Sequence, residues 1–203
     1  NCVPGGVSRL PSLCPCCGSP LVICESSGGT RQLYCDNKGC PAKLVRKFKH
    51  FCSKTRMGIE GLSELTLEKF IRHGWIRNYG DLFQLEQHRE AIIATPGFGE
   101  KSFARLQKAI DKRRTCHLNE FVAALGIPEV GRHAGRILNT HFHGSWTQFE
   151  QAIKDNFDFT QLTDFGQIMH DNIYTWYADV ENAKLWRPAL DHITFMEEET
   201  MST

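Results

Sequence analysis

The chain of 203 residues is long enough for one small module and one domain with its own core, and its hydrophobic fraction of 41% and charged fraction of 23% are those of a globular protein. No apolar run approaches the roughly 18 residues of a membrane span, and Pro4, Pro11 and Cys14 interrupt any secretory signal. We therefore expect a cytoplasmic location, without a membrane partner and without export. The net charge of +1 hides an asymmetry, because residues 1–57 carry +7, residues 58–115 carry +2 and residues 116–203 carry −8, and a basic front end predicts a polyanionic partner.

The first part of the chain is dominated by cysteine. Residues 1–12 are interpreted as an N-terminal extension, and a start at Asn1 suggests a cut from a longer chain. Eight of the nine cysteines fall within the first 52 residues, and five of these lie in two knuckles: Cys-Pro-Cys-Cys-Gly at residues 14–18 and Cys-Asp-Asn-Lys-Gly-Cys at residues 35–40. Between the knuckles, residues 21–23 and 31–34 are predicted to form the two strands of a hairpin around a Ser-Ser-Gly-Gly turn. Residues 13–44 are therefore predicted to be a zinc finger.

Four thiolates at this spacing satisfy Zn²⁺ in a closed tetrahedral site, which makes the expected role of the metal structural. A segment this short buries too little apolar surface to fold alone, so the metal should supply much of its folding free energy. Cys16 and Cys24 stay open as substitute ligands, and Cys52 and Cys116 are expected to be buried free thiols. The expected ligand set is Cys14, Cys17, Cys35 and Cys40.

Beyond residue 45 the sequence repeats itself. Four triplets share the form small or acidic, apolar, small, at residues 61–63, 97–99, 129–131 and 164–166, and their spacings are 36, 32 and 35 residues. Seven residues after the third member of each triplet the chain is always apolar, at Phe70, Leu106, Leu138 and Ile173. Each unit is predicted to be a helix, a tight turn and a second helix. Residues 45–178 are thus predicted to be an all-α domain of four such repeats.

A glycine in these turns permits positive φ or the close approach of another molecule. The turn leads into a helix N-terminus, whose free N–H groups favour an anion such as a DNA phosphate. The second and third units are expected to contact DNA most, and the fourth, which carries Asp164, is expected to serve mainly for packing. The residues predicted to bind DNA are Gly61, Ser63, Gly97, Gly99, Lys101, Ser102, Gly131, Arg132, Arg136 and Gly166, with Lys47 and Arg56 before them.

Several motifs taken together resemble one family. They are the Cys-Pro-x-Cys-Gly knuckle, Cys-x₄-Cys-Pro-Ala at residues 35–42, Met-Gly-Ile-Glu-Gly-Leu at residues 57–62, Gly-Phe-Gly-Glu-Lys-Ser at residues 97–102 and Ala-Leu-Gly-Ile-Pro at residues 124–128. From about residue 11 to residue 182 the chain resembles the zinc finger and helix-hairpin-helix repeats of bacterial NAD-dependent DNA ligases. Ser63 and Asp164 depart from the family's glycines.

The resemblance implies a division of labour. In that family the catalytic domains of the same protein use NAD and Mg²⁺ and take AMP onto a lysine in a Lys-x-Asp-Gly motif, while the zinc finger and repeats help to encircle nicked double-stranded DNA. This sequence contains no such motif and no residue in it is assigned a catalytic role, so the chain is expected to be inactive alone. Residues 179–203 are interpreted as a linker or tail. Three alternatives stay open: a standalone DNA-repair module, the noncatalytic subunit of a split ligase, and a protein-interaction scaffold.

Overall fold

The structure is a computed structural model in which residues 11–198 are described. Residues 1–10, most of the expected N-terminal extension, and residues 199–203, the end of the expected tail, lie outside the described residues. The described chain is mainly helical with short strands, as the sequence predicts. The strands are β1 (Leu21–Glu25), β2 (Arg31–Cys35), β3 (Thr115–Cys116) and β4 (Thr194–Phe195). The α-helices are α1 (Pro41–Cys52), α2 (Glu64–Arg72), α3 (Arg89–Ile93), α4 (Glu100–Lys112), α5 (Leu118–Ala124), α6 (Arg132–His141), α7 (Trp146–Lys154), α8 (Gln167–Ala178) and α9 (Val180–Trp186), and 3₁₀ helices span Tyr79–His88, Phe159–Gln161 and Arg187–His192.

The chain divides into two compact units, with the boundary between Arg46 and Lys47, inside α1. The first unit contains the predicted hairpin, in which β1 and β2 pair antiparallel with Val22 opposite Tyr34 and Ile23 opposite Leu33. These four apolar side chains are all exposed, Ile23 by 64%. Burial of this sheet therefore contributes little to its stability, and another source of free energy must hold the first unit together.

In the second unit the four repeated apolar positions form part of the core. Phe70, Leu106, Leu138 and Ile173 are at most 2% exposed. Helix α4 shows why the pattern folds this way: Phe103, Leu106 and Ile110 are buried along one face, and its lysines and arginine are exposed. A helical face of this kind is stabilised by packing more than by its intrinsic propensity.

A helix follows each of the four triplets, namely α2, α4, α6 and α8. The helix expected before each triplet is less regular. Helix α3 has only five residues, the fourth triplet is preceded by the three-residue 3₁₀ helix Phe159–Gln161, and α1 ends at Cys52, well before Gly61. In these repeats the helix before the triplet is therefore shorter or more distant than expected, and the helix after the triplet is the regular one.

The expectation of a linker or tail at residues 179–203 is corrected by the structure, because residues 180–195 are folded as part of the second unit. Trp186 of α9 is 1% exposed and its ring stacks on Trp176 with centroids 4.6 Å apart. Strand β4 then pairs parallel with β3, Thr194 opposite Thr115. Burying an indole this completely is a large apolar contribution, so this segment belongs to the core of the second unit. Within residues 11–198, no helix has both the length and the apolar character needed to cross a membrane.

Candidate functional site

The four cysteines chosen from the knuckles come together in the first unit. Their sulfur atoms all lie within 4.8 Å of one another. The Sγ atoms of Cys14 and Cys40 are 3.8 Å apart, and those of Cys17 and Cys35 are 3.6 Å apart. A tetrahedral zinc ion with Zn–S bonds of about 2.3 Å spaces its sulfurs by about 3.8 Å. The donor set and the spacing therefore fit a closed metal site.

Local backbone structure places the sulfurs. In the first knuckle the N–H of Cys14 donates to the carbonyl of Ser19 (2.7 Å) and that of Gly18, at φ +73°, donates to the carbonyl of Cys14 (2.8 Å). In the second, the Asn37 side chain accepts from the N–H of Gly39 (2.9 Å) and the Asn37 carbonyl accepts from the N–H of Cys40. Both turns curl the chain back so that two sulfurs from each knuckle face one centre.

The protein environment divides the four thiols into two kinds. Hydrogen bonds from the side chains of Ser19 and Asn37 lower the pKa of Cys17 to about 5, and backbone N–H groups lower that of Cys14. Burial raises the pKa of Cys35 to about 12 and also raises that of Cys40. Two sulfurs are thus inclined to be thiolates, and the other two would stay protonated until a bound cation displaced their protons.

The other cysteines of residues 11–198 lie elsewhere. Cys16 and Cys24, the open alternatives, are exposed and outside the four-sulfur group. Cys52 and Cys116 are buried free thiols, as expected, and burial raises the pKa of each to about 12. Thiols of this kind are protonated at neutral pH and chemically inert.

The four triplets of the second unit share one backbone conformation. The first residue of each is left-handed: φ is +93° at Gly61, +87° at Gly97, +65° at Glu129 and +62° at Asp164. The third residue of each is the N-cap of the helix that follows, at Ser63, Gly99, Gly131 and Gly166. We call these segments turns one to four. Their common geometry shows that the sequence repeat is a structural repeat of the turn.

The glycines of the turns have different roles. Gly61 and Gly97 occupy a region that side chains other than glycine enter at a cost of roughly 1–2 kcal/mol. Gly99, in contrast, is extended at φ −149°, which any residue adopts. A Cβ at Gly99, Gly131 or Gly166 would meet no heavy atom within 4 Å. The space in front of these three helix N-termini is therefore open to another molecule.

Positive charge stands beside turns two and three. Lys101, Arg132 and Arg136 are exposed, and none forms an ion pair with a carboxylate of residues 11–198. Beside turn four, Asp164 contacts His133 at 2.9 Å between Oδ2 and Nε2. The second and third turns are thus the cationic ones, in agreement with the charge pattern of the sequence.

The turns associate in pairs. Gly61 of turn one faces Leu106 of α4, and a pocket of about 380 Å³ between turns one and two is lined by Glu60, Gly97, Ser102 and Arg105 among others. In the second pair, Asn172 of α8 donates to the carbonyl of Pro128, the residue before turn three (2.9 Å). Turns one and two lie together, and so do turns three and four.

Other predicted residues have internal partners. Ser63 accepts a hydrogen bond from the N–H of Thr66, and Ser102 is exposed on α4. Lys47 reaches the side chain of Asn182 at 3.4 Å, and Arg56 donates to Ser53 at 2.8 Å. Both cations thus contact neutral side chains, and neither forms an ion pair with a carboxylate of residues 11–198.

One residue that the sequence did not single out supports turn one. Arg113, at the end of α4, donates to the carbonyl of Met57 and to the carboxylate of Glu120 on α5. It thereby ties the loop that precedes turn one to the helix that precedes turn three. Two adjacent arginines after a helix gave no signal of this role, because Met57 lies 56 residues away in the chain.

Comparison with known proteins gives one consistent result. No family model matches the chain. It is 35% identical over 199 residues to a DNA ligase of Lachnoclostridium phytofermentans, a match that covers 98% of this chain and 30% of that protein. It is 32% identical over 197 residues to a DNA ligase of Ruminiclostridium cellulolyticum, covering 97% and 30%, and 37% identical over 176 residues to one of Symbiobacterium thermophilum, covering 87% and 25%.

The fold and the two sites thus define a mainly helical chain with a four-cysteine cluster and repeated helix-initiating turns. Nearly the whole of this chain is similar to one segment of proteins named DNA ligase. It spans less than a third of the length of these relatives.

Proposed function

We propose that this chain is the noncatalytic, DNA-binding part of an NAD-dependent DNA ligase, which holds nicked double-stranded DNA by its sugar-phosphate backbone. The four turns are interpreted as the hairpins of helix-hairpin-helix repeats. The remaining steps of ligation, including adenylation from NAD with Mg²⁺, belong to catalytic domains of the same parent protein. The similarity to a segment of DNA ligases supports this assignment.

The observation that carries the proposal is the common backbone of the turns. Turns two, three and four each present the open N-terminus of a helix, where unpaired N–H groups and the helix dipole attract an anion. Lys101, Arg132 and Arg136 add unpaired positive charge beside turns two and three. Contacts of this kind reach phosphates and carry no sequence information, so binding should be independent of base sequence.

The four cysteines complete the proposal as a structural zinc site. Cys14, Cys17, Cys35 and Cys40 would supply all four ligands, which leaves no open position for a catalytic water. The zinc would stabilise the first unit, whose sheet buries little apolar surface. Its role in ligation would be to hold basic residues of this unit in place.

The test is the affinity of the full chain for a nicked duplex, measured by fluorescence anisotropy at several salt concentrations. We expect affinity to fall steeply with salt, since each phosphate contact releases a counterion. Duplexes of unrelated sequence should bind equally well. A flat salt response, or no binding at low salt, would contradict the proposal.

A further inference from the structure

Two large apolar side chains occupy an unexpected place in the second unit. Within residues 47–198 the exposed large hydrophobic residues are Leu65 (70% exposed), Ile168 (69%), Val180 (69%) and Met196 (40%). Leu65 is the second residue after the N-cap Ser63, and Ile168 is the second residue after the N-cap Gly166. Two of the four exposed hydrophobic side chains thus stand at the same position of two different turns.

The equivalent position in the other two turns is polar. It holds Lys101 after Gly99 and His133 after Gly131, and both side chains are exposed. Because all four turns share a left-handed first residue and an N-cap third residue, side chains at this position leave their helices in the same way. A partner that contacts Lys101 at turn two would contact the side chains at the equivalent position of turns one and four, which are Leu65 and Ile168.

The ion pairs at turn one favour the same partner. The carboxylates within four residues of either side chain all have partners: Glu64 pairs with Lys49 and Glu68 with Arg72, while Asp164 contacts His133 and Asp171 accepts from Gln167. At turn one both carboxylates are therefore paired with cations, which lowers the repulsion that a polyanion would meet there. At turn four the partners are a histidine and a neutral amide.

We propose that Leu65 and Ile168 pack against the deoxyribose rings of bound DNA, so that turns one and four hold the backbone by apolar contact and turns two and three hold it by charge. This inference rests on the proposed function, since it assumes that the turns bind DNA. Deoxyribose offers C–H surface beside every phosphate, and aliphatic side chains contact it without regard to base sequence. Turn four then has a role in binding as well as in packing. The sequence did not predict this role, because Asp164 indicated a turn that would repel phosphate.

Apolar and ionic contacts differ in their response to salt. An ionic contact releases a counterion, so its loss lowers the slope of log affinity against log salt by about 1. An apolar contact releases none, so its loss weakens binding equally at every salt concentration. The two kinds of turn can therefore be distinguished in one titration series.

The experiment compares variants of the full chain on nicked duplex DNA across salt concentrations. We expect L65Q and I168Q each to weaken binding about fivefold with an unchanged slope, the effect of losing roughly half of a buried aliphatic side chain. K101Q should instead lower the slope by about 1. V180Q is the matched control, because Val180 is equally exposed but lies on α9 away from the four turns, and it should bind as the wild type does.

A second variant guards against an indirect effect. L65K places a cation at position 65, and if this position faces DNA, the slope should rise by about 1. The inference is overturned if L65Q and I168Q bind as tightly as V180Q, if their slopes fall, or if L65K leaves the slope unchanged. If the wild type fails to bind at all, the proposed function fails instead, so the two failures are distinguishable.

Discussion

Glu129 and Asp164 adopt the same left-handed backbone as Gly61 and Gly97 at equivalent positions of the turns. Because these two residues stand where the other two turns have glycine, the sequence alone indicates that turns three and four are altered. The backbone conformation is nevertheless the same in all four turns. The surrounding helices impose the turn geometry, and the non-glycine residues bear its conformational cost.

Replacing Glu129 by glycine should therefore stabilise the chain by about 0.5–1 kcal/mol, because it relieves the left-handed strain of an exposed residue. Chemical denaturation measures the change. Asp164→Gly is the matched comparison, and it should gain less, because aspartate tolerates this region better and because Asp164 also contacts His133. A loss of stability in Glu129→Gly would contradict the assignment of strain.

At Gly99 the expected effect is on binding and not on folding. Gly99→Val should weaken DNA binding at least about tenfold, a loss typical of one or two charge-assisted hydrogen bonds, because the side chain would fill open space in front of α4. Helicity measured by circular dichroism should be unchanged, since extended backbone accepts valine. Gly99→Ala should give a smaller loss. Normal DNA affinity in Gly99→Val would show that this turn does not contact the backbone.

Much of the residue-level pattern could be predicted because it is local. The apolar residues such as Leu106 and Ile173 recur at fixed distances from each triplet, and helical periodicity turns that spacing into a buried face. The knuckle cysteines are likewise close in sequence to the turns that orient them. Arg113 could not be predicted, because its role depends on the carbonyl of Met57, which only the folded chain brings near.

At the scale of elements, the segment 180–198 shows where local reasoning ends. Its acidic end and its short apolar stretches resemble a linker, but Trp186 finds Trp176 and Trp146 as neighbours only in the folded unit. Strand β4 pairs with β3 across a separation of more than seventy residues. Trp186 was the available signal, since exposed linkers rarely contain such a large apolar ring.

Gly144 tests the docking of this segment. At φ +72° a Cβ would lie 2.6 Å from the carbonyl oxygen of Met196, so Gly144→Ala should cost about 2–3 kcal/mol and displace the strand. Gly97→Ala is the control, because Gly97 also has positive φ but faces open space, and it should cost only about 1 kcal/mol. Tryptophan fluorescence and denaturation report both effects. Equal losses in the two variants would mean that the strand does not lie against Gly144.

Glu150 joins three elements and should make stability depend on pH. Its side chain is 13% exposed and accepts hydrogen bonds from Trp146 on α7, Tyr177 on α8 and Arg187. Burial raises the pKa of Glu150, but the hydrogen bonds from Arg187 and Tyr177 and the charge of Arg187 outweigh burial, so the pKa lies below its ordinary value of 4.5. The stabilisation is therefore complete above pH 4.5 and is lost as pH falls through the lowered pKa.

Glu150→Gln should accordingly be about 1–2 kcal/mol less stable than the wild type at neutral pH, because the charged acceptor is lost. The difference should shrink as pH is lowered below 4.5, where the wild-type carboxyl also becomes neutral. Urea denaturation at a series of pH values measures it. A difference that is independent of pH would show that the charge of Glu150 is not what stabilises these contacts.

At the scale of the whole molecule, we expect a bound metal to stabilise only the first unit. Metal analysis after gel filtration should give one zinc per chain, and Cys35→Ser should lose it, because Cys35 is one of the four clustered sulfurs. Cys24→Ser is the matched control and should retain zinc, since Cys24 is exposed outside the cluster. Removing zinc should leave the helical signal of the second unit nearly unchanged. Zinc that is absent, or equally retained in both variants, contradicts this site.

The most direct test of DNA binding by the turns is an NMR titration of the isotope-labelled chain with a nicked duplex. We expect the resonances of the backbone amides of residues 99–102 and 131–134 to shift first and most, because these amides lie at the open N-termini of α4 and α6. The amide resonances of residues 180–195 should not shift. If DNA binds while the resonances of the turn amides do not shift, the proposal that the turns bind the DNA backbone is contradicted.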